Sequence, residues 1–260
     1  MSLISGGQAG FNSVIFYNRS HRVKASRKKD GCIEVNVVST NGSNGTKVGK
    51  LFDKIPFIRG MWLMIELVIL NWRLYLITLV LFFTMLILQN VTHETTERDT
   101  SSLFYLFFTP PYHFIFLLGV LMCASIFIKI TEVGKYHSAE HMVDNAYEDS
   151  QDISLQNVQM YSRVHKQCGT NLLVFILIFY SIFYYLLDNK FLGGFLSFSF
   201  GYEVYKINHM WIKRALTPVY AFSYTLQWFL FTSKPNPKHL EVSISAYQEM
   251  VSLSKAGNDE

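Results

Sequence analysis

The chain has 260 residues and a net charge of +4; half of it is hydrophobic, 16% is aromatic and 16% is charged, against about 25% charged in an ordinary soluble domain. That balance points to a membrane protein. It excludes nucleic acid as a partner, because no basic patch is interleaved with aromatics. Cys32, Cys123 and Cys168 form no CxxC pair, which excludes a zinc ribbon and a redox motif, and their odd count and wide spacing give no disulfide framework.

Residues 1–55 read as a small cytoplasmic β-rich region. The start, MSLISGGQAGF, lacks the basic opening and apolar core of a signal peptide, so the first membrane segment is expected to be retained. SVIFY reads as a short strand and HRVKASRKKDGCIEVNVV as a hairpin turning at Asp30-Gly31, a strong tight-turn signal. After that turn Ile33, Val35 and Val37 alternate with Glu34 and Asn36, the period of a half-buried strand. A hairpin with one strand is marginal alone, so the region is expected to pack on the rest of the chain. STNGSNGTKVGK reads as a polar loop.

In 56–90, MWLMIELVILNWRLYLITLVLFFTMLILQ runs for about 29 residues. As a helix it would be roughly 44 Å long, against about 30 Å of hydrocarbon core. An interfacial helix near 57–71 and a first span near 72–90 resolve the excess, with Glu66 and Arg73 on one face. NVTHETTERDTSS is a polar loop. A second span is expected at 111–130, a polar cytoplasmic loop or helix at 131–170, and a third span followed by a short fourth or re-entrant segment over 171–207. In 208–260, the uncharged stretch 215–231 reads as a surface or core helix. The tail is polar and cytoplasmic, and EVSISAYQEMV reads as a short amphipathic helix. The expected fold is mainly α: a polytopic helical membrane protein of about four membrane segments with a small N-terminal β-hairpin region.

Lys and Arg sort between two sides under this scheme. Residues 1–73 carry 11, 129–170 carry four and 206 onward carry six, while the opposing loops carry only Arg98 and Lys190. The positive-inside rule then places the N-terminus, the 131–170 segment and the C-terminus in the cytoplasm of a multi-pass cell-membrane protein. Its partner is the lipid bilayer, with a membrane protein or a second copy as further candidates.

The chemistry concentrates in KYHSAEHMVDNAYE, Lys135 to Glu148. HSAEH is H-x-x-E-H, with His137 and His141 four apart and so on one helix face. Both imidazoles can reach one divalent ion, and Glu140 is placed to act as general base on a water. Asp144 and Glu148 continue the stripe. Downstream, RVHKQCGTN offers His165 and Cys168 three apart, donor types that suit zinc or another transition metal. The candidate metal set is His137, His141, Glu148, His165 and Cys168, with Glu140 as the candidate catalytic residue. The competing reading is a solvated polar face between spans, with Cys168 a small buried hydrophobe. Glu203, in GYEVYK, is expected near the membrane surface with Lys206 as its partner.

The ordered stretches GGQAGFNSVIF, KIPFIRGMWLMIE, KYHSAEHMVDNAYE, RVHKQCGTNLLVF, GYEVYK and LQWFLFTSKPNPKHLEVSISAYQEMV resemble the DUF1385, or YqhQ-like, family of bacterial membrane proteins over nearly the whole chain. The resemblance implies a metal-dependent protein of unsettled reaction. It carries over His137, Glu140, His141, Glu148, His165, Cys168, Gly169 and Thr170, with Arg59, Gly60, Glu66, Tyr202 and Glu203. The chain departs from the family pattern in GFNSVIFYN, where an acid is replaced by Asn12 and an arginine by Tyr17, and in HKQCGT, where the family has HPRCGT. Two functions follow. One is a metal-dependent hydrolase at the cytoplasmic membrane face. The alternative is a non-enzymatic assembly or regulatory component whose polar cluster is structural. A transporter is disfavoured, since no paired broken helices in two halves are visible.

Overall fold

The computed structural model describes residues 4–18, 20–39, 52, 55–70, 72, 73, 75–77, 80, 84 and 112–256. The loop expected from Ser39 onward, past that residue itself, the loop expected at 90–102, most of the first span and the Glu66–Arg73 pairing lie outside the described residues and side chains.

The N-terminal region forms a four-stranded antiparallel sheet of sequential hairpins, β1 (Gly6–Ala9), β2 (Ser13–Tyr17), β3 (His21–Arg27) and β4 (Ile33–Ser39). The expected strand and hairpin are β2, β3 and β4; the β3–β4 turn uses Gly31 at φ +88, a conformation open to glycine at little cost. β1, the GGQA stretch, is an addition that no alternating apolar pattern announced. Alternation puts Val14, Phe16, Val23 and Ala25 on the inner face, each fully buried, with Val14 opposite Ala25 and Phe16 opposite Val23.

Two helices receive that face. α3 (Glu132–Ser150) lies under β1 and β2, and α9 (Pro237–Ala256) lies under β2, β3 and β4. Tyr247 of α9 stands edge-on to Phe16 at 5.0 Å and packs on Tyr147 of α3 at 5.0 Å. The expected short tail helix is therefore corrected to a 20-residue core helix. Its Leu240, Val242, Ala246, Tyr247 and Met250 are buried because α3 and the sheet cover more than one stripe of it. Glu132 fastens the two helices: its carboxylate accepts from Lys135 Nζ at 2.6 Å and meets His239 Nε2 at 2.6 Å.

The longer of the remaining helices are predominantly apolar. α1 (Ile58–Leu70), α2 (Tyr112–Ile130), α5 (Gly169–Leu186) and α6 (Lys190–Lys206) occupy the expected interfacial helix and second, third and fourth segments. Short helices α4 (Leu155–Val158) and α7 (Met210–Ala215) punctuate the chain, and α8 (Thr217–Leu226) runs into a π-helical turn, Gln227–Phe231. α5 and α6 pack closely, where a Cβ on Gly201 would lie 2.9 Å from Ile176 N. α1 docks on α6 through Gly60, which faces the Phe198 carbonyl and Tyr202. Glu203 does not pair with Lys206. It takes Arg59 through Nε at 2.7 Å and Nη2 at 2.5 Å, and accepts the Phe57 N–H at 2.9 Å, because α1 brings a planar guanidinium to it. The chain is thus mainly helical with an N-terminal antiparallel sheet, and among the described residues one helix, Gly169–Leu186, is long and apolar enough to cross a membrane.

Candidate metal centre

α3 begins immediately after α2, so His137 and His141 stand about two and three turns beyond the end of an apolar helix. His137 and His141, one turn apart, bring their rings to 4.3 Å. Cys168 is the N-cap of α5, and its Sγ lies 3.6 Å from His137 Nε2. The ligand atoms of His137, His141 and Cys168 all fall within 4.8 Å of one another.

The ring orientations are set by backbone carbonyls. His137 Nδ1 meets the Phe231 carbonyl at 3.2 Å and His141 Nδ1 meets the Arg163 carbonyl at 2.6 Å. A carbonyl oxygen only accepts, so each Nδ1 carries a proton, and Nε2 is the atom each ring would offer to an ion once any second proton has left. This is the outer-shell arrangement that holds metal-ligating histidines in one tautomer. The carbonyls come from two elements that a buried amide network ties together. Gln227 Oε1 accepts the His165 N–H at 3.0 Å and its Nε2 donates to Asn171 Oδ1 at 3.2 Å. Asn171 in turn donates to the Lys166 carbonyl at 2.8 Å. Sequence reading missed Gln227; its signal was a single amide inside the apolar run YTLQWFLF.

Burial pushes the Cys168 thiol up, but the His141 and His137 imidazoles outweigh this and hold it well below the ordinary range. Burial lowers His137, and the Cys168 hydrogen bond and charge, with Glu140, reverse this and raise it to about 9. In the protein without an ion, Cys168 and His137 therefore form a thiolate–imidazolium pair. Glu140 is 9% exposed and its carboxyl is raised by burial, partly offset by His137 and His141. Among the described residues it belongs to no group of three close donors; it lies beside the centre, under β1. A Cβ on Gly7 would stand 2.2 Å from Glu140 Oε1, and one on Gly6 would stand 2.4 Å from the Tyr17 hydroxyl. The two glycines of GGQA thus let the strand pass between a tyrosine ring and a buried carboxylate. Tyr17 is also raised by burial and by the Glu140 charge.

His165 stands beside His141, ring centroids 5.6 Å apart, but with Glu148 it turns to a neighbouring acidic group and is not one of the three converging donors. His165 Nε2 lies 3.4 Å from Asp144 Oδ2 and 3.9 Å from Glu148 Oε2, and its Nδ1 accepts the Gln167 N–H at 3.3 Å. Burial, with the His141 and Lys166 charges, lowers His165 to about 3; the ring is neutral, and its Nε2–H faces the acids as a dipole. Asp144 accepts from the Tyr247 hydroxyl at 2.9 Å, and Lys166 Nζ pairs with Glu148 at 2.7 Å. This group faces α9 and solvent, so a lysine already serves its charge.

No solved structure matches the chain. It is 26% identical to the "Uncharacterized protein YqhQ" of Bacillus subtilis (strain 168), over 95% of this chain and 92% of that protein. The family described as "Protein of unknown function (DUF1385)" matches residues 72–253, a range that contains all three converging donors and Glu140. With that match covering most of its length, the chain belongs to the DUF1385 family.

Proposed function

We propose that this chain is an integral membrane protein whose cytoplasmic cap binds a divalent transition-metal ion through His137, His141 and Cys168, and that the centre is hydrolytic with Glu140 as general base. The observation that carries the reading is the pair of carbonyl-locked imidazoles turning both Nε2 atoms toward one sulfur. The spacing supports zinc. Nitrogen and sulfur ligands at about 2.1 and 2.3 Å from a tetrahedral ion stand about 3.6 Å apart, and His137 Nε2 and Cys168 Sγ are 3.6 Å apart. Three protein donors leave one tetrahedral position for a water or substrate, and an ion there would supply Lewis acidity.

Placement in a bilayer is supported by large apolar side chains left exposed on the helices, among them Ile115, Phe127 and Ile130 on α2 and Tyr185 and Leu186 on α5. Single exposed apolar residues need no explanation, but a belt spread over several helices does. The proposed insertion would leave the centre, carried by the helix that follows α2 and by the N-cap of α5, at the membrane surface. Metal analysis of the detergent-purified protein is the direct test. About one ion per chain is expected in wild type, and loss of it in His141→Ala; negligible metal in both sinks the proposal.

A second reading, a structural tie in a non-enzymatic component, is favoured by depth: His141 is 2% and Cys168 6% exposed. Glu140→Gln separates the two. It keeps shape and metal; the hydrolase reading requires loss of function, and the structural reading requires little change.

A further inference from the structure

We infer that Arg163 and Lys129, gathered at Trp228, bind the headgroup phosphate of an anionic phospholipid; this rests on the membrane insertion proposed above. Trp228 lies in the π-helical turn that packs on α2, and with Phe229 it is exposed there. Phe127 and Ile130 are exposed in the last turn of α2. The apolar surface of the helices therefore ends at this level, where Ser233 N–H already bonds to the polar cap through the Gly134 carbonyl. Tryptophan settles at such a boundary because its ring is apolar and its N–H needs a partner.

Two cations meet at this tryptophan. The Arg163 guanidinium carbon stands over the Trp228 ring, 3.8 Å from its centre. Lys129 Nζ, from the last turn of α2, donates to the Trp228 carbonyl at 3.4 Å. Arg27 and Arg59 each meet a glutamate; among the described residues Arg163 and Lys129 meet no carboxylate. The nearest acids on α3 are engaged elsewhere, Asp144 with Tyr247 and Glu148 with Lys166. Burial works against the Arg163 charge, and no acid offsets it. The ring face attracts the cation but accepts none of its N–H donors in the plane of the fork. A guanidinium held on an indole is thus pre-set to receive two phosphate oxygens. Lys129 adds a compact charge on a stem long enough to reach the interface. A choline headgroup would bring a further positive charge to this pair. The fit is to a phosphodiester whose other substituent is uncharged, such as glycerol, and anionic lipids of this kind attract basic residues at a membrane surface.

The test is native mass spectrometry of the full-length protein in a non-ionic detergent, titrated with phosphatidylglycerol or with phosphatidylcholine. One saturable phosphatidylglycerol adduct is expected, at least about tenfold tighter than the phosphatidylcholine adduct. Arg163→Gln and Lys129→Gln should each weaken it about fivefold, the value of one cation at a membrane surface. Arg163→Lys, which keeps the charge without the planar fork, should fall between. Lys255→Gln, in the last turn of α9, should leave the adduct unchanged. Equal uptake of the two lipids, or an adduct untouched by both glutamine variants, overturns the inference. So does displacement by an equal concentration of inorganic phosphate or of a soluble glutamate-rich peptide. If Arg163→Gln does not fold, Lys129→Gln and the comparison of the two lipids decide. A protein that resists alkaline carbonate but shows no preference keeps its insertion and loses the headgroup site. A protein released by carbonate that still prefers phosphatidylglycerol loses the insertion and keeps the site.

Discussion

Single atoms decide what His137, His141 and Cys168 can do. Without the Phe231 and Arg163 carbonyls, either ring nitrogen could serve as the ligand atom; with them, Nδ1 is engaged in both rings and Nε2 is left for an ion. Gln227 positions both carbonyl-bearing segments through His165 N–H and Asn171. Gln227→Leu is therefore expected to weaken metal binding about ten- to a hundredfold, the usual cost of losing an outer-shell partner. Cobalt substitution followed by visible absorption reads both affinity and thiolate ligation. Gly7→Ala places a methyl against Glu140 and should cost about 1–3 kcal/mol as overpacking. In a Glu140→Ala background the same change should cost far less, a coupling measurable by denaturant unfolding. If the two costs simply add, β1 does not rest on Glu140.

Among the elements, α3 is the hub: one side takes α9, another the sheet, and a third the loop that leads to Cys168. The Glu132 tie between α3 and α9 makes part of the stability pH-dependent. Lys135 and then His239 hold the Glu132 carboxyl at about 2, below its ordinary 4.5. A carboxylate lowered on folding stabilises fully above its unfolded value, and that contribution is lost as pH falls toward the folded value. The melting-temperature gap between wild type and Glu132→Gln should be full above about pH 4.5 and close progressively toward about pH 2. A gap that stays constant over that window would remove Glu132 from the tie. α5 and α6 approach through Gly201; Gly201→Leu should force them apart and lower the yield of folded protein, seen by size-exclusion chromatography in detergent.

At the scale of the whole molecule, a polar cap of sheet, α3 and α9 sits on apolar helices. Its core combines Phe16, Val143, Leu240, Tyr247 and Met250 from all three. The proposed insertion predicts that the protein stays with membranes through alkaline carbonate and leaves only with detergent. Release by carbonate would leave the exposed apolar belt without its bilayer. Cap residues are expected to be cytoplasmic, so a thiol probe that does not cross membranes should fail to label Cys32, which is exposed, in intact cells and should label it after lysis.

Much of the architecture was legible because it follows from local chemistry. Asp30-Gly31 announced its turn, the alternation after it announced β4, and the apolar runs announced α2, α5 and α6 in place. The spacing of HSAEH put two imidazoles on one helix face whatever the rest of the chain did. Other features depended on partners distant in sequence. β1 has too few apolar residues to show a pattern, and it exists because β2 pairs with it and Glu140 fills the space over Gly7. Glu203 chose Arg59 over Lys206 because α1 docks on α6, and the tail became a core helix because two surfaces cover it. His165 and Glu148 were in reach of the centre by spacing alone. Folding turned them to Asp144 and Lys166, and brought Cys168 to the histidines instead. The residue types that can hold an ion were determined by the sequence; which of them converge, and in which tautomer, was decided by long-range backbone contacts from Arg163 and Phe231, which no local pattern encodes.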